Sequence, residues 1–107
     1  MSEIIDLNLV DLVQKIKEKK LSSKEITKAY VDRSEISKKL NTYITDNFEK
    51  AIKNAENFDD KPDFEKKLPG IPIAVKDLFC TKNIRTTAGS KILNNFIPSY
   101  ESTVTKN

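Results

Sequence analysis

The sequence predicts an α/β fold in which helices come first and the opening strands of a parallel or mixed sheet follow. Apolar residues recur at helical spacing between residues 6 and 57. Ile71–Val75 is a continuous apolar run, typical of a strand that is covered on both faces. Such a strand needs neighbours on either side, and the chain offers one other convincing strand, so we expect the sheet to be incomplete here.

Two helices are predicted in the first 40 residues. The first begins after Asp6 or Asn8, either of which can cap it. Its apolar positions are spaced i, i+3, i+4 and i+7, and they are Leu9, Leu12, Val13 and Ile16. The second begins at a capping box, in which the Ser22 hydroxyl accepts the Glu25 amide and the Glu25 carboxylate reaches back. Its apolar positions are Ile26, Ala29, Tyr30, Ile36 and Leu40.

The middle of the chain predicts a short strand, a third helix and a linker. Residues 41–45 are rich in β-branched and aromatic side chains, which favours a strand. Asp46 marks a helix start, and the apolar positions that follow are Phe48, Ala51, Ile52 and Ala55. Residues 58–67 are charged and contain a proline, so they form a surface linker. Residues 68–107 then hold the predicted buried strand and a loop, within the same single domain.

Composition excludes several classes of function. Histidine is absent, which removes Ser-His-Asp and Cys-His catalysis within this chain. The net charge of +3 comes from basic clusters that acidic residues interrupt, which disfavours a nucleic-acid-binding stripe. Cys80 is the single cysteine, so neither an internal disulfide nor a metal site is predicted. With no signal peptide or apolar span, a cytosolic or otherwise reducing compartment fits best.

Lys76 is the strongest candidate for chemistry. It directly follows the predicted buried strand, so it lies at the carboxyl end of the sheet, where ligands of open α/β sheets bind. A lysine partly removed from water gives up its charge more readily and can act as a general base, and Ser-Lys chemistry needs no histidine. The alternative from the residues alone is an ordinary exposed lysine at a strand end.

The residues around Lys76 carry weaker predictions. Asp77 either orients Lys76 or caps a local turn, and capping is favoured. Cys80 is predicted to be a small buried apolar residue rather than a nucleophile. A stretch rich in hydroxyls forms either a polar wall for a substrate or a simple turn, and its residues are Thr86, Thr87, Gly89 and Ser90.

The run Leu68-Pro-Gly-Ile-Pro-Ile-Ala-Val-Lys-Asp77 resembles the lysine motif of the amidase-signature family. The runs Thr81–Phe96 and Pro98–Val104 extend the likeness, so it is specific over residues 68–104 and looser elsewhere. The resemblance implies an α/β fold with a large mixed sheet surrounded by helices, of which this chain is the N-terminal portion. It also implies that Lys76 is the catalytic lysine of a Ser-Ser-Lys set. Both serines are expected in a glycine- and serine-rich segment after Asn107, so these residues alone should be inactive.

The likeness is greatest to family members that hydrolyse glutamine inside a larger complex. In such a complex, the ammonia passes to a B subunit, which uses ATP and Mg²⁺ to amidate the glutamate on Glu-tRNA(Gln), and a C subunit clamps the other two together. No cofactor or metal is expected on this chain itself. Two alternatives stay open. One is another amidase-signature hydrolase that acts on a small amide, and the other is a non-enzymatic helical interaction module whose lysine motif is coincidental.

Overall fold

The computed structural model describes residues 2–106, which divide into two compact units. The helical unit consists of the residues up to Thr42 together with Phe48–Pro72. The loop unit consists of Tyr43–Asn47 together with the residues from Ile73 onward. None of the helices in the described part of the chain is long and apolar enough to cross a membrane.

Within the described residues, the helical unit contains four α-helices and one 3₁₀ turn, and the second and third α-helices begin at caps that the sequence predicts. These elements are α1 (Ser2–Ile5), α2 (Leu9–Lys17), α3 (Ser23–Ile36), the 3₁₀ turn Lys38–Leu40, and α4 (Phe48–Asp60). Asn8 caps α2 by accepting the Asp11 amide at 2.9 Å. The predicted capping box is confirmed at α3, where Ser22 Oγ accepts the Glu25 amide at 3.0 Å and Glu25 accepts the Ser22 amide at 3.1 Å.

The core of the helical unit is small. Its buried cluster is formed by Leu12, Ile16 and Ile26. Partly buried side chains pack against it, and they are Ile4, Leu7, Leu21, Tyr30, Phe58, Phe64 and Ile71. The predicted apolar faces are confirmed over the middle of α2 and α3 and along α4. They are wrong at their ends, because Leu9, Ile36 and Leu40 are 48%, 74% and 69% exposed.

The carboxylate of Asp59, near the end of α4, joins that helix to the start of α3. It accepts the backbone amides of Ser23 at 2.8 Å and Lys24 at 3.0 Å, two of the amides that a helix start leaves without an internal partner. An exposed ion pair between Lys24 and Glu56, 2.8 Å apart, lies beside these bonds. Helix α4 therefore runs to Asp60, into the segment 58–67 that the sequence predicts as a linker.

The turn at Leu68-Pro-Gly is tied to the same helix start. Ser23 Oγ donates to the Gly70 carbonyl at 2.6 Å, and Ile71 N donates to Leu68 O at 3.4 Å. Gly70 has a φ of +68°, a conformation that glycine adopts without steric cost. The start of α3 thus holds the turn at 68–71 within the helical unit.

The two predicted strands are not strands in the described part of the chain. Residues 41–45 are irregular, and residues 71–75 run without regular secondary structure and with no ladder partner. The predicted burial of the second segment is also wrong here, because Ile73 and Val75 are 65% and 49% exposed. A strand is defined by hydrogen bonds to a neighbouring strand, so an apolar run alone produces neither a ladder nor a covered face. The α/β prediction is therefore confirmed in its helices, and its sheet is not shown.

Turns build the loop unit, which ends in the short helix α5 (Thr103–Lys106). Residues 91–96 form successive tight turns, in which the Leu93 amide donates to Ser90 O at 3.2 Å and the Phe96 amide donates to Leu93 O at 2.9 Å. The carbonyl of Cys80 accepts the Ser102 amide at 2.7 Å, which holds the approach to α5. Hydrogen bonds, rather than a large apolar core, shape this unit.

Candidate functional site

Lys76 lies at the start of a tight turn in the loop unit. Its carbonyl accepts the Phe79 amide at 3.1 Å, and its side chain is exposed. The extended residues before it have no strand partner in the described part of the chain. The sequence predicts that Lys76 directly follows a buried strand. In the structure, Lys76 instead follows an extended segment whose last residues, 73–75, are exposed.

Asp77 does not cap the turn that follows it. Its carboxylate instead receives the Thr87 amide at 2.9 Å and the Thr87 hydroxyl, ten residues further along the chain. Its carbonyl accepts the Ala88 amide at 2.7 Å. The prediction that Asp77 caps a local turn is therefore wrong, because its carboxylate holds the turn at 87–90 instead.

The electrostatics of Asp77 follow from these contacts. Partial burial would raise the pKa of its carboxyl group, because it disfavours the charged form. The hydrogen bonds from Thr87 and Gly89, with the positive charge of Arg85, outweigh that effect and hold the pKa below its ordinary value. Asp77 is therefore an anion at neutral pH, directly next to Lys76 in the chain.

The 87–90 turn has an unusual backbone. Ala88 and Gly89 have φ values of 50° and 71°, and Ser90 N donates to Thr87 O at 2.8 Å. Positive φ at both central residues is the signature of a type I′ turn, which glycine and asparagine favour. Gly89 fits this requirement, as the sequence predicts, whereas an alanine in this region costs about 1–2 kcal/mol.

The hydroxyl-rich stretch is a braced turn rather than an open wall of donors. Every backbone amide from Thr86 to Ser90 donates within the loop unit, to Phe96 O, Asp77 Oδ1, Asp77 O, Thr87 Oγ1 and Thr87 O in that order. Thr86 and Thr87 are 5% and 3% exposed. The simple-turn interpretation is thus the one that the structure supports, and a substrate would find these amides already bonded.

Arg85 is a residue whose role sequence reasoning missed. Its guanidinium donates to Asn94 O at 2.5 Å, to Asn94 Oδ1 at 2.6 Å and to Thr45 Oγ1 at 2.9 Å. These bonds join three separate stretches of the loop unit, namely those that contain Thr45, Arg85 and Asn94. The partners lie nine and 40 residues away, so no local pattern announces them.

Cys80 is half-buried rather than buried, and its sulfur lies 3.8 Å from the Tyr100 hydroxyl. The hydrogen bond and charge of Cys80 raise the pKa of Tyr100. Among residues 2–106, no group of three or more His, Cys, Asp or Glu side chains is arranged to hold a metal ion.

Comparison with known proteins gives a consistent result. The profile of the family described as Amidase matches residues 25–107. The chain is 65% identical over 107 residues to the A subunit of glutamyl-tRNA(Gln) amidotransferase of Pelagibacter ubique (strain HTCC1062). It is 47% identical over 109 residues to the protein of that name from Rickettsia bellii (strain OSU 85-389), and 43% identical over 110 residues to that of Ehrlichia canis (strain Jake).

These matches cover 99–100% of this chain but 22% of each relative, so the chain spans about a fifth of their length. A coincidental lysine motif would not bring identity along the whole chain, so the comparisons exclude the unrelated interaction module. The family profile covers most of the sequence, including Lys76 and the 87–90 turn. The chain belongs to the amidase family.

Proposed function

We propose that this chain is the N-terminal part of the A subunit of a glutamyl-tRNA(Gln) amidotransferase, which hydrolyses glutamine to supply ammonia for making Gln-tRNA(Gln). The observation that carries the proposal is the 65% identity over the whole chain to a protein of that name. Three relatives from different organisms share the name, which favours it over a stand-alone amidase. The α/β fold with a large mixed sheet is part of the proposal.

Lys76 is the catalytic residue that this segment contributes. In the proposed mechanism, its neutral amine takes a proton through a bridging serine, and this activates a second, nucleophilic serine. That serine attacks the side-chain amide of glutamine, ammonia leaves, and water hydrolyses the acyl-enzyme. The two serines come from the rest of the enzyme, because the catalytic motif that matches the family here is the lysine motif.

The proposed partners are the B and C subunits of the amidotransferase, with Glu-tRNA(Gln) bound by the complex and glutamine as the ammonia donor. The B subunit supplies the ATP- and Mg²⁺-dependent step, and this chain binds neither. A bacterial cytoplasm or an organelle matrix is the proposed compartment. The exposed positions of Lys76 and of residues 73–75 are compatible with a site that residues outside this chain complete.

A chimeric enzyme tests the proposal. The matching residues of the Pelagibacter ubique A subunit are replaced by this chain, and the chimera is assembled with the B and C subunits. We expect glutamine-dependent formation of Gln-tRNA(Gln). A soluble, assembled chimera that uses supplied ammonium but not glutamine would contradict the proposal.

Substitution of Lys76 tests the catalytic assignment in the same chimera. Lys76→Ala should abolish the use of glutamine and spare the use of ammonium, because the amidation step lies in the B subunit. Lys76→Arg should fail equally, since a guanidinium does not give up its proton in the working pH range. Lys82→Ala is the matched control, an exposed lysine in the same unit, and should keep both activities. Glutamine use by either Lys76 variant at the level of Lys82→Ala would show that Lys76 is not the base.

A further inference from the structure

Asp77 gathers a group of donors from one short stretch of the loop unit. The Thr87 amide and hydroxyl bond its carboxylate, the Ala88 amide bonds its carbonyl at 2.7 Å, and the Gly89 amide bonds the Thr87 hydroxyl oxygen at 3.2 Å. Hydrogen bonds to an ionised acceptor are roughly twice as strong as neutral ones. Asp77 and the 87–90 turn therefore form one braced block.

The block also holds a strained backbone. Ala88 has a φ of 50°, at a turn position where glycine or asparagine is the usual residue. Such a conformation persists when the surrounding structure over-determines it. The bonds that Asp77 accepts from Thr87 and from the Ala88 amide supply that restraint. Relaxation of the turn would move the bonds that it makes to the Asp77 side chain and to the Asp77 carbonyl, one residue after Lys76.

Lys76 depends on this block for its placement within the loop unit. Residues 73–75, directly before Lys76, are exposed and have no ladder partner in the described part of the chain, so no strand pairing restrains Lys76 from that side. On its other side, the Lys76 carbonyl closes the turn to Phe79 at 3.1 Å, and Asp77 is bonded to the 87–90 turn. The backbone is therefore held on the C-terminal side of Lys76 by hydrogen bonds at both Lys76 and Asp77.

We propose that Asp77 is a positioning residue for Lys76, acting by clamping the 87–90 turn through Thr87. The proposal rests on the proposed function, in which Lys76 is the base. It assigns Asp77 and Thr87 no contact with substrate. The backbone amides of the turn already donate hydrogen bonds within the loop unit, so they cannot donate to glutamine in this arrangement.

The test uses the chimeric complex and compares variants that differ by single groups. Thr87→Val removes the hydroxyl that donates to Asp77 and keeps the branched shape, while Thr87→Ser keeps the hydroxyl. Asp77→Asn keeps the shape and removes the charge. Thr81→Val is the control, because it also deletes a threonine hydroxyl that bonds a nearby carbonyl, that of Phe79 at 3.3 Å.

Small displacement of a catalytic group costs roughly 10- to 100-fold in rate. We expect Thr87→Val and Asp77→Asn to lower kcat for glutamine-dependent amidation by about that factor. The KM for glutamine should stay within about twofold, since neither residue binds substrate. Thr87→Ser should restore kcat to within about twofold of the unsubstituted chimera, and the rate with ammonium should not change in any variant.

Two results would overturn the positioning role. The first is a Thr87→Val kcat equal to that of Thr81→Val. The second is a kcat loss that comes with equal loss of ammonium-dependent activity, or that Thr87→Ser does not restore, since either would mark a general structural effect. If Asp77→Asn fails to assemble, the two Thr87 variants decide the question. Lys76→Ala separates the two proposals. If that variant still uses glutamine, Lys76 is not the base and the proposed function of Lys76 is wrong. If Lys76→Ala is inactive with glutamine but Thr87→Val has a normal kcat, only the positioning role of Asp77 is wrong.

Discussion

Gly70→Ala should destabilise the helical unit strongly, for two separable reasons. Gly70 has a φ of +68°, which an alanine adopts only with strain. A Cβ at this position would also lie 2.8 Å from Cδ1 and Cε1 of Phe58 and 3.0 Å from Cβ of Ser23. Non-bonded carbon atoms prefer separations of about 3.5–4.0 Å, so the ring or the turn must move.

The magnitude follows from adding these effects. Backbone strain for alanine at positive φ costs about 1–2 kcal/mol. Forcing extra atoms into a packed region typically costs about 1–3 kcal/mol. Alanine also leaves the unfolded chain with less conformational entropy than glycine does, and this stabilises the folded state by about 0.4–1 kcal/mol. Taken at the middle of these ranges, the effects sum to about 3 kcal/mol, so we expect Gly70→Ala to lower the free energy of unfolding of the helical unit by about 2–4 kcal/mol.

Gly89→Ala is the matched comparison, because it changes the same residue type at a similar φ of +71°. A Cβ on Gly89 meets nothing within 4 Å. Strain alone, partly offset by the unfolded-state effect, should cost about 1 kcal/mol in the loop unit. The difference between the two variants isolates the steric contribution of Phe58 and Ser23.

Amide hydrogen exchange resolved by peptide measures both units in one experiment. Since each 1.4 kcal/mol is a factor of ten, Gly70→Ala should speed exchange in the protected peptides of α3 and α4 roughly 30- to 1,000-fold. Gly89→Ala should speed exchange in the peptides around Asp77 roughly fivefold. Equal acceleration by the two variants in their own units would refute the steric reasoning.

Three further predictions concern single side chains. Asp59→Ala should cost about 1 kcal/mol in urea unfolding because two amides at the start of α3 lose their acceptor, whereas the neighbouring exposed Asp60→Ala should change little. The lowered pKa of Asp77 means that its contribution to stability is complete above the ordinary aspartate pKa of about 3.9 and is lost as the pH falls through the lower folded value. NMR resonances of the amides bonded to its carboxylate should therefore stay constant from about pH 7 to pH 5 and shift only in stronger acid, and movement in the neutral range would contradict this. Leu12→Ala should lower the free energy of unfolding by about 2–5 kcal/mol and Leu9→Ala by about 0.5 kcal/mol, because Leu12 is 4% exposed and Leu9 is 48% exposed. The urea unfolding midpoints of the two variants measure this contrast.

Local rules predicted what is local in this protein. The capping box joins Ser22 to a residue three positions away, so the sequence alone predicts both of its hydrogen bonds. Helical periodicity identified Leu12 and Ile16 as core residues but could not show that Ile36, at the end of α3, extends past any partner. Periodicity reports the face of a helix and not the extent of what covers that face.

Contacts between distant residues escaped prediction for a physical reason. The bond from Asp77 to Thr87 spans ten residues and that from Arg85 to Thr45 spans 40, and neither leaves a periodic signal. The sequence predicted Lys76 and Asp77 as notable positions, yet it could not choose the turn that Asp77 would hold. The apolar run at 71–75 predicted a strand because its composition fits one, although a strand forms only when a ladder partner is present.

The interleaving of the two units has a consequence for the order of folding. Residues 43–47 lie between α3 and α4 in the chain but belong to the loop unit, where Thr45 meets Arg85. Closing a flexible loop of 40 residues costs about 3 kcal/mol beyond a constant term. If α4 has already docked on α3, much of that loop is ordered and the remaining cost falls. We therefore expect α3 and α4 to gain protection first in pulse-labelling hydrogen exchange, and the Thr45–Arg85 hydrogen bond to form later. A ribosome-bound chain that ends before residue 85 would then have folded helices, while its segment 43–47 would lack the bond to Arg85.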